Sequence, residues 1–266
     1  MNRQCALLLP CIVISAAAVA RAQDVDEIVA KSAAAVQADW KLAAQFSFTE
    51  HDNIVKGGMR TVKTYRVVMI EGSPYNELVT ENGRPLSPDQ AAAEERKIQQ
   101  QTEERRHESA AARQKRIAQY KRERTQDQAL LMEMTRAFTY RLVGHEVLNG
   151  RDCYRVAAEP KPGYVPKSRD TKVLTGMRGT LWIDTKTYQW VKVTASVFRP
   201  VSFGLFIARV GPGTEFTLEQ APVSGSIWLP THFVTKVNAR VLVWSKRSSD
   251  DETYSEYSRG ATSAMR

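Results

Sequence analysis

Cysteine, histidine and the short signatures of nucleotide and nucleophile sites are what this sequence has least of, and each scarcity removes a class of function. Three cysteines occur in 266 residues, and two of them, Cys5 and Cys11, fall in an N-terminal stretch that reads as a leader. Cys153 is then alone in the mature chain, which excludes a disulfide framework. Its strand-like setting, C-Y-R-V, marks it as a small buried hydrophobe. The four histidines are scattered. His107-Glu108 and His145-Glu146 begin like a zinc-hydrolase helix, yet the second histidine is replaced by Ala111 and Asn149, so no metal is expected. There is no G-x-S-x-G turn, phosphate loop or dinucleotide fingerprint, and the glycines mark turns. The carboxylates Glu71, Glu77, Glu146, Asp152, Glu159 and Asp184 fall near strand ends and turns, where charge is normally solvated. A non-enzymatic protein without cofactor, metal or catalytic residues is therefore expected.

What is present begins with an address. Met1-Asn2-Arg3 is basic, Ala6 to Val19 is almost wholly apolar, and Ala20-Arg21-Ala22 places small residues where a signal peptidase reads them. The apolar run is shorter than the ~20 residues a bilayer span needs. Residues 1–22 are read as a cleavable signal peptide and the mature chain as starting at Gln23, exported to the periplasm. The chain carries 38 Lys+Arg against 29 Asp+Glu; without Arg3 and Arg21 the balance is 36 against 29, or +7. Such a balance outside the cytoplasm points to anionic lipid headgroups, with peripheral contact to an anionic membrane surface, or to polyanionic envelope material. Dispersed charge without a recognition motif points away from nucleic acid.

Asp24-Val25-Asp26-Glu27 has the form of a helix start, and Val25, Ile28, Val29, Val36, Trp40 and Ala44 recur at helical spacing. This helix is either a cover for one sheet face or the gate of a cavity. Alternating strands follow at 45–51, 60–71 and 75–80, with Phe46 and Phe48 on one face. Ser87-Pro88 then opens a segment without glycine or proline, Asp89 to Gln128, which holds ten basic and eight acidic residues. It reads as a solvent-exposed helix or broken helical hairpin. The residues up to Phe138 restore hydrophobicity and dock its end on the sheet.

Strands resume at 139–148 and 152–159 around Asn149-Gly150, and the hairpin Arg178 to Val197 reverses at Asp184-Thr185-Lys186-Thr187. On its return arm Val191, Val193, Ala195 and Val197 alternate with polar residues and Trp190. The apolar run 198–210 is either another buried strand or a rim loop touching lipid. Strands are expected again at 214–220 and 231–244, and from Lys246 the chain turns polar, with Tyr254 and Tyr257 able to add an edge strand.

The N-terminal helix before Phe46-Ser47-Phe48, G-R-D-C-Y-R-V-A-A-E-P-K-P from Gly150, G-T-L-W-I-D-T-K-T-Y-Q-W-V-K-V from Gly179 and G-S-I-W-L-P-T from Gly225 occur in an order that resembles the bacterial lipoprotein-localisation carriers and outer-membrane lipoprotein-sorting proteins. The resemblance implies an α+β fold: a strongly curved antiparallel sheet, an incomplete or half-barrel covered by helices. It also implies hydrophobic cargo, a lipid, acyl chain or lipoprotein, in an apolar interior. The charged insertion departs from the compact carriers. One domain over 23–245 is expected, with a helical insertion at 87–138 and a polar tail at 246–266. Phe46, Phe48, Val67, Val191, Val193 and Val241 are the expected cavity-facing residues. The alternative is an interaction or structural protein whose helical insertion binds an envelope partner.

Overall fold

The computed structural model describes residues 24–168, 170–203, 208–241 and 244–259, so the leader expected at 1–22 lies outside the described residues. Helix α1, Val25–Ala43, starts where Asp24 accepts a hydrogen bond from the Asp26 amide at 3.0 Å, satisfying a donor that the first turn leaves free. Strands β1 (Phe46–Lys56), β2 (Met59–Ile70), β3 (Ser73–Glu81) and the two-residue β4 (Arg84–Pro85) form a meander. Helices α2 (Pro88–His107) and α3 (Ala110–Ala137) precede β5 (Phe138–Leu148) and β6 (Arg151–Pro160). After a 3-10 turn, Asp170–Gly176, come β7 (Met177–Asp184) and β8 (Trp190–Val197). The remaining strands are β9 (Val201–Phe203), β10 (Ala208–Val210), β11 (Glu215–Ser224), β12 (Ile227–Val241) and β13 (Trp244–Arg259).

The α+β class is as expected, but the strongly curved half-barrel is not. Among the described residues one antiparallel sheet runs β4-β3-β2-β1-β13-β12-β11-β8-β7-β6-β5, with β9 and β10 attached beside β12. It is open and not strongly curved. Closure would require the two end strands to meet with staggered register. Here β4 and β5 are the two ends of the path, and the chain between them is spent on α2 and α3.

The main core lies between α1 and the β5–β8 half of the sheet. Ile28, Val29 and Val36 pack there with Tyr154, Val156, Leu181, Ile183 and Val193. Each such aliphatic contributes roughly 1.5–3 kcal/mol when fully buried. Gly179 is needed for the approach of β7 to β8, since a Cβ there would lie 2.5 Å from the Thr194 carbonyl oxygen. The reversal between these strands is held by Asp184, which is 3% exposed rather than solvated. It accepts from the Lys186 amide at 3.0 Å, the Thr187 amide at 2.7 Å and the Thr187 hydroxyl at 2.9 Å. Burial pushes the Asp184 carboxyl up, but the bonds from Thr187 and Lys186, with one from Arg151, outweigh it and hold the group below its usual range.

The stretch expected as a polar tail supplies most of β13, which lies inside the sheet between β1 and β12. Its cohesion comes from backbone pairing on both sides, which a hydropathy pattern does not register.

The insertion is two helices separated by a break at 108–109. Ser87 caps α2, with a reciprocal bond from Gln90, and Ser109 caps α3 after the break. Helix α2 buries no residue, so polar groups fasten it. Arg105 donates to the Ile70, Ser73 and Pro74 carbonyls at 3.0, 2.9 and 3.2 Å, and Arg116 to the Ser73 hydroxyl at 2.6 Å and the Glu71 carbonyl at 3.0 Å. The end of α2 and the first turns of α3 are thereby latched to the β2–β3 turn.

Candidate functional site

Where the C-terminal end of α1, the middle of α3 and the β3-β2-β1-β13 half of the sheet converge, they leave a groove of about 420 Å3, open to solvent. That is within the size range of small-ligand sites, roughly 300–1,000 Å3. Phe46, Phe48 and Glu50 of β1, Val67 and Met69 of β2, and Tyr254 and Tyr257 of β13 form its floor. Trp40 and Ala43 of α1 and Tyr120, Glu123 and Arg124 of α3 form its walls.

Two local devices build the floor. Phe48 stands opposite Val67 in the β1–β2 register, which puts aromatic and aliphatic surface side by side. On β13, Glu256 takes a left-handed conformation with φ of 55°, and the register against β1 shifts there. This bulge lets Tyr254 and Tyr257, three residues apart, both turn to the groove. The Phe48 ring lies 5.8 Å from Tyr254 and 5.4 Å from Tyr257, and Phe46 lies 6.3 Å from Tyr257. Tyr257 donates to the Pro230 carbonyl at 2.6 Å, which leaves its ring on the floor. On the wall the Arg124 guanidinium sits 4.8 Å above the Trp40 ring and 5.7 Å from Tyr120, and it donates to the Trp40 carbonyl, so α3 is tied to α1 over the groove.

One edge of this aromatic floor is acidic. Glu50 pairs with Tyr254 across β1 and β13, Asp52 with Glu252, and Ile54 with Asp250, which sets four carboxylates in consecutive rows. Burial, then repulsion from Asp52, Glu252 and Asp250, pushes the Glu50 carboxyl up to about 7. Asp52, Asp250 and Glu252 are raised as well, in each case chiefly by burial. One oxygen each of Asp52 and Asp250 is buried without a hydrogen-bond partner among the described residues. The groove thus joins an apolar surface to an acidic edge whose carboxyls are all raised, that of Glu50 to about 7. Among the described residues no group of three or more metal-ligating side chains converges.

The expected cavity-facing residues separate. Phe46, Phe48 and Val67 line the groove together. Val193 packs in the core under α1, whereas Val191 joins a separate cluster with Cys153 and Trp228. The cause is a register shift between β7 and β8 in which Trp190 opposes Ile183 and Lys192 opposes Trp182, leaving Val191 as the additional residue and breaking the alternation. Val241 pairs with Ala208 and Trp244 at the end of β12, and its side chain lies outside the described residues. Beneath α1, the space bounded by Val29, Val36, Leu181, Ile183 and Trp190 is only about 20 Å3, room for about one water molecule. The leading helix therefore covers a packed core. Near its C-terminal end the buried Asp39 accepts from the Gln189 amide at 2.6 Å and the Trp228 backbone at 2.8 Å, anchoring α1 to β8 and β12.

Glu50, Tyr254 and Tyr257 were not legible as site residues. A carboxylate inside an alternating strand and two tyrosines three apart look like solvated positions until the bulge is known.

No family model matches the chain, and no curated protein does. Among solved structures the chain has distant likenesses, those that follow at no more than 12% identity. It is similar to a domain from Vibrio parahaemolyticus described as an outer membrane lipoprotein-sorting protein, at 9% identity and a TM-score of 0.36, covering 89% of this chain and 92% of that one. It is also similar to a LolA superfamily protein from Nitrosomonas europaea, at 10% identity and a TM-score of 0.28, covering 84% and 93%. A third likeness is to the Pseudomonas aeruginosa MucA/MucB complex, at 12% identity and a TM-score of 0.23, covering 86% and 93%.

Proposed function

We propose that this is an exported, non-enzymatic periplasmic protein that binds a lipid or lipid-modified ligand in the groove between α1, α3 and the β1–β2–β13 floor. The observation that carries the reading is a 420 Å3 groove floored by Phe46, Phe48, Val67, Tyr254 and Tyr257. Such a surface gains roughly 0.8 kcal/mol for each methylene it takes out of water. Glu50, carrying its proton up to about pH 7, gives a ligand's polar end a hydrogen-bonding partner at the margin without a fixed buried charge. The leader-like start and the positive balance of the chain support a site of action outside the cytoplasm.

The insertion belongs to this reading, because Tyr120, Glu123 and Arg124 of α3 form one wall of the groove. That favours ligand binding over the alternative in which the hairpin acts only as an arm for an envelope partner.

The test is lipid mass spectrometry on protein purified natively from an envelope fraction, joined to uptake of a fluorescent acyl probe. Copurifying lipid is expected, with probe affinity reduced about tenfold or more in Phe48→Asp, whose charge would be desolvated by a bound chain. Absence of both lipid and probe uptake in the unaltered protein would reject the proposal.

A further inference from the structure

The end of the sheet away from the groove carries a cationic projection. Strand β13 stops pairing with β1 at Ser248, opposite Lys56, but continues beside β12 as far as Trp244. Four residues, 244–247, therefore extend past the end of β1. Trp244 at their limit is 75% exposed, and Met59, on the neighbouring β1–β2 turn, is 77% exposed. A large exposed indole at the tip of a strand gains nothing from folding, and this side chain type partitions to the bilayer interface.

The charges around it are of one sign. Arg209, Arg240, Lys246 and Arg247 are exposed and take part in no ion pair among the described residues. Register places Arg209 opposite Arg240, and Arg240 opposite Ser245, on one face. Lys246, opposite Ala239, shares the other face with Trp244. Two arginines held directly across from each other repel in the free protein, and that cost is recovered only against an anionic surface. Lys56 and Arg60 add charge at the adjacent turn. The nearest acid on the β11 side, Glu215, is already occupied by Lys236 at 3.5 Å. Beside Arg247 lies a hollow of about 440 Å3 bounded by Lys236, Asn238, Ser248 and Ser249, which presents N–H and O–H donors suited to phosphate oxygens.

We infer that this end of the sheet docks on an anionic phospholipid bilayer, with Trp244 at the headgroup level and Arg209, Arg240, Lys246 and Arg247 as a cationic collar around it. The occupant follows from charge complementarity: a zwitterionic surface would leave the arginine pair repelling, and an apolar protein groove would desolvate the collar. The inference goes beyond the lipid-binding reading and stands on different residues, at the opposite end of β1 and β13 from the groove.

Co-sedimentation of the purified protein with vesicles tests it. Vesicles of phosphatidylcholine with one-third phosphatidylglycerol should retain the protein at low salt, pure phosphatidylcholine vesicles should not, and 0.5 M salt should release it, on the order of what a shortened Debye length implies. Arg240→Ala with Lys246→Ala should lower partitioning about 25-fold, roughly fivefold for each cation removed. Trp244→Ala should weaken binding to anionic vesicles while leaving its salt dependence unchanged. Trp244→Ala should take up the fluorescent acyl probe as the unaltered protein does, which separates docking from groove binding. Equal retention on both vesicle types, no retention on either, or variants that bind like the parent would overturn the inference.

Discussion

Replacing Glu50 by glutamine should make the protein more stable at alkaline pH and leave it unchanged at acid pH. Glu50 is surrounded by Asp52, Asp250 and Glu252 on β1 and β13, and its carboxyl is raised from 4.5 to about 7. In the unfolded chain the group loses its proton near 4.5, in the folded chain near 7. Between those values the folded state holds more protons, so stability falls as pH rises through the window, and the full cost is present above about 7. At about 1.36 kcal/mol per unit the ceiling is about 3 kcal/mol. Because the groove is open to solvent, screening reduces this to about 1–2 kcal/mol. Glutamine keeps the shape and cannot ionise. For a chain of this size, Glu50→Gln should raise Tm at pH 8 by roughly 2–8 °C and change it little at pH 4.5. Thermal and urea unfolding followed by far-UV circular dichroism across that range would measure it. A difference independent of pH, or a glutamine variant less stable at pH 8, would refute the placement of an unneutralised carboxylate at the groove's edge.

Asp39→Ala leaves the Trp228 backbone N–H without its acceptor in a buried position and the Gln189 amide with only the Ala35 carbonyl at 3.3 Å, and should cost about 2–4 kcal/mol in urea unfolding; a loss below about 1 kcal/mol would contradict the anchoring role. Gly179→Ala forces a methyl against the Thr194 carbonyl and should cost about 1–3 kcal/mol by the same measurement, with full stability arguing against the close β7–β8 approach. Arg105→Ala together with Arg116→Ala should speed amide hydrogen exchange in α2 and the first turns of α3 while β6, β7 and β8 stay protected; uniform loosening would mean that the latch is not local. Cys153, wholly buried and with its thiol pushed up to about 11 chiefly by burial, should resist thiol reagents at pH 8 until the protein unfolds.

The chain's own pattern determined a good deal. The 3.6-residue recurrence over 25–43, the period-two strands of the first and middle thirds, the Ser87 cap and the Asp184 reversal are local features, set by propensity and hydrogen bonds within a few residues. They were legible because nothing distant has to be known to form them. Phe46 and Phe48 fall on one face of β1 by alternation alone, whereas Val67 joins them through the β1–β2 register.

What alternation could not carry was anything decided by a bulge or by a partner strand. The additional residue at Val191 sends it and Val193 into different clusters, and the bulge at Glu256 brings Tyr254 and Tyr257 to one side; both are single-residue shifts that invert every parity beyond them. The polar sequence of β13 became a central strand because β1 and β12 satisfy its backbone from both sides, a long-range pairing with no hydropathy signature. Whether the sheet closed was likewise settled far from any motif: with α2 and α3 latched to the β2–β3 turn and β4 and β5 left at opposite ends of the path, the sheet stayed open. The open groove therefore lies over the β3-β2-β1-β13 half of the sheet, while the volume beneath the leading helix is filled by side chains.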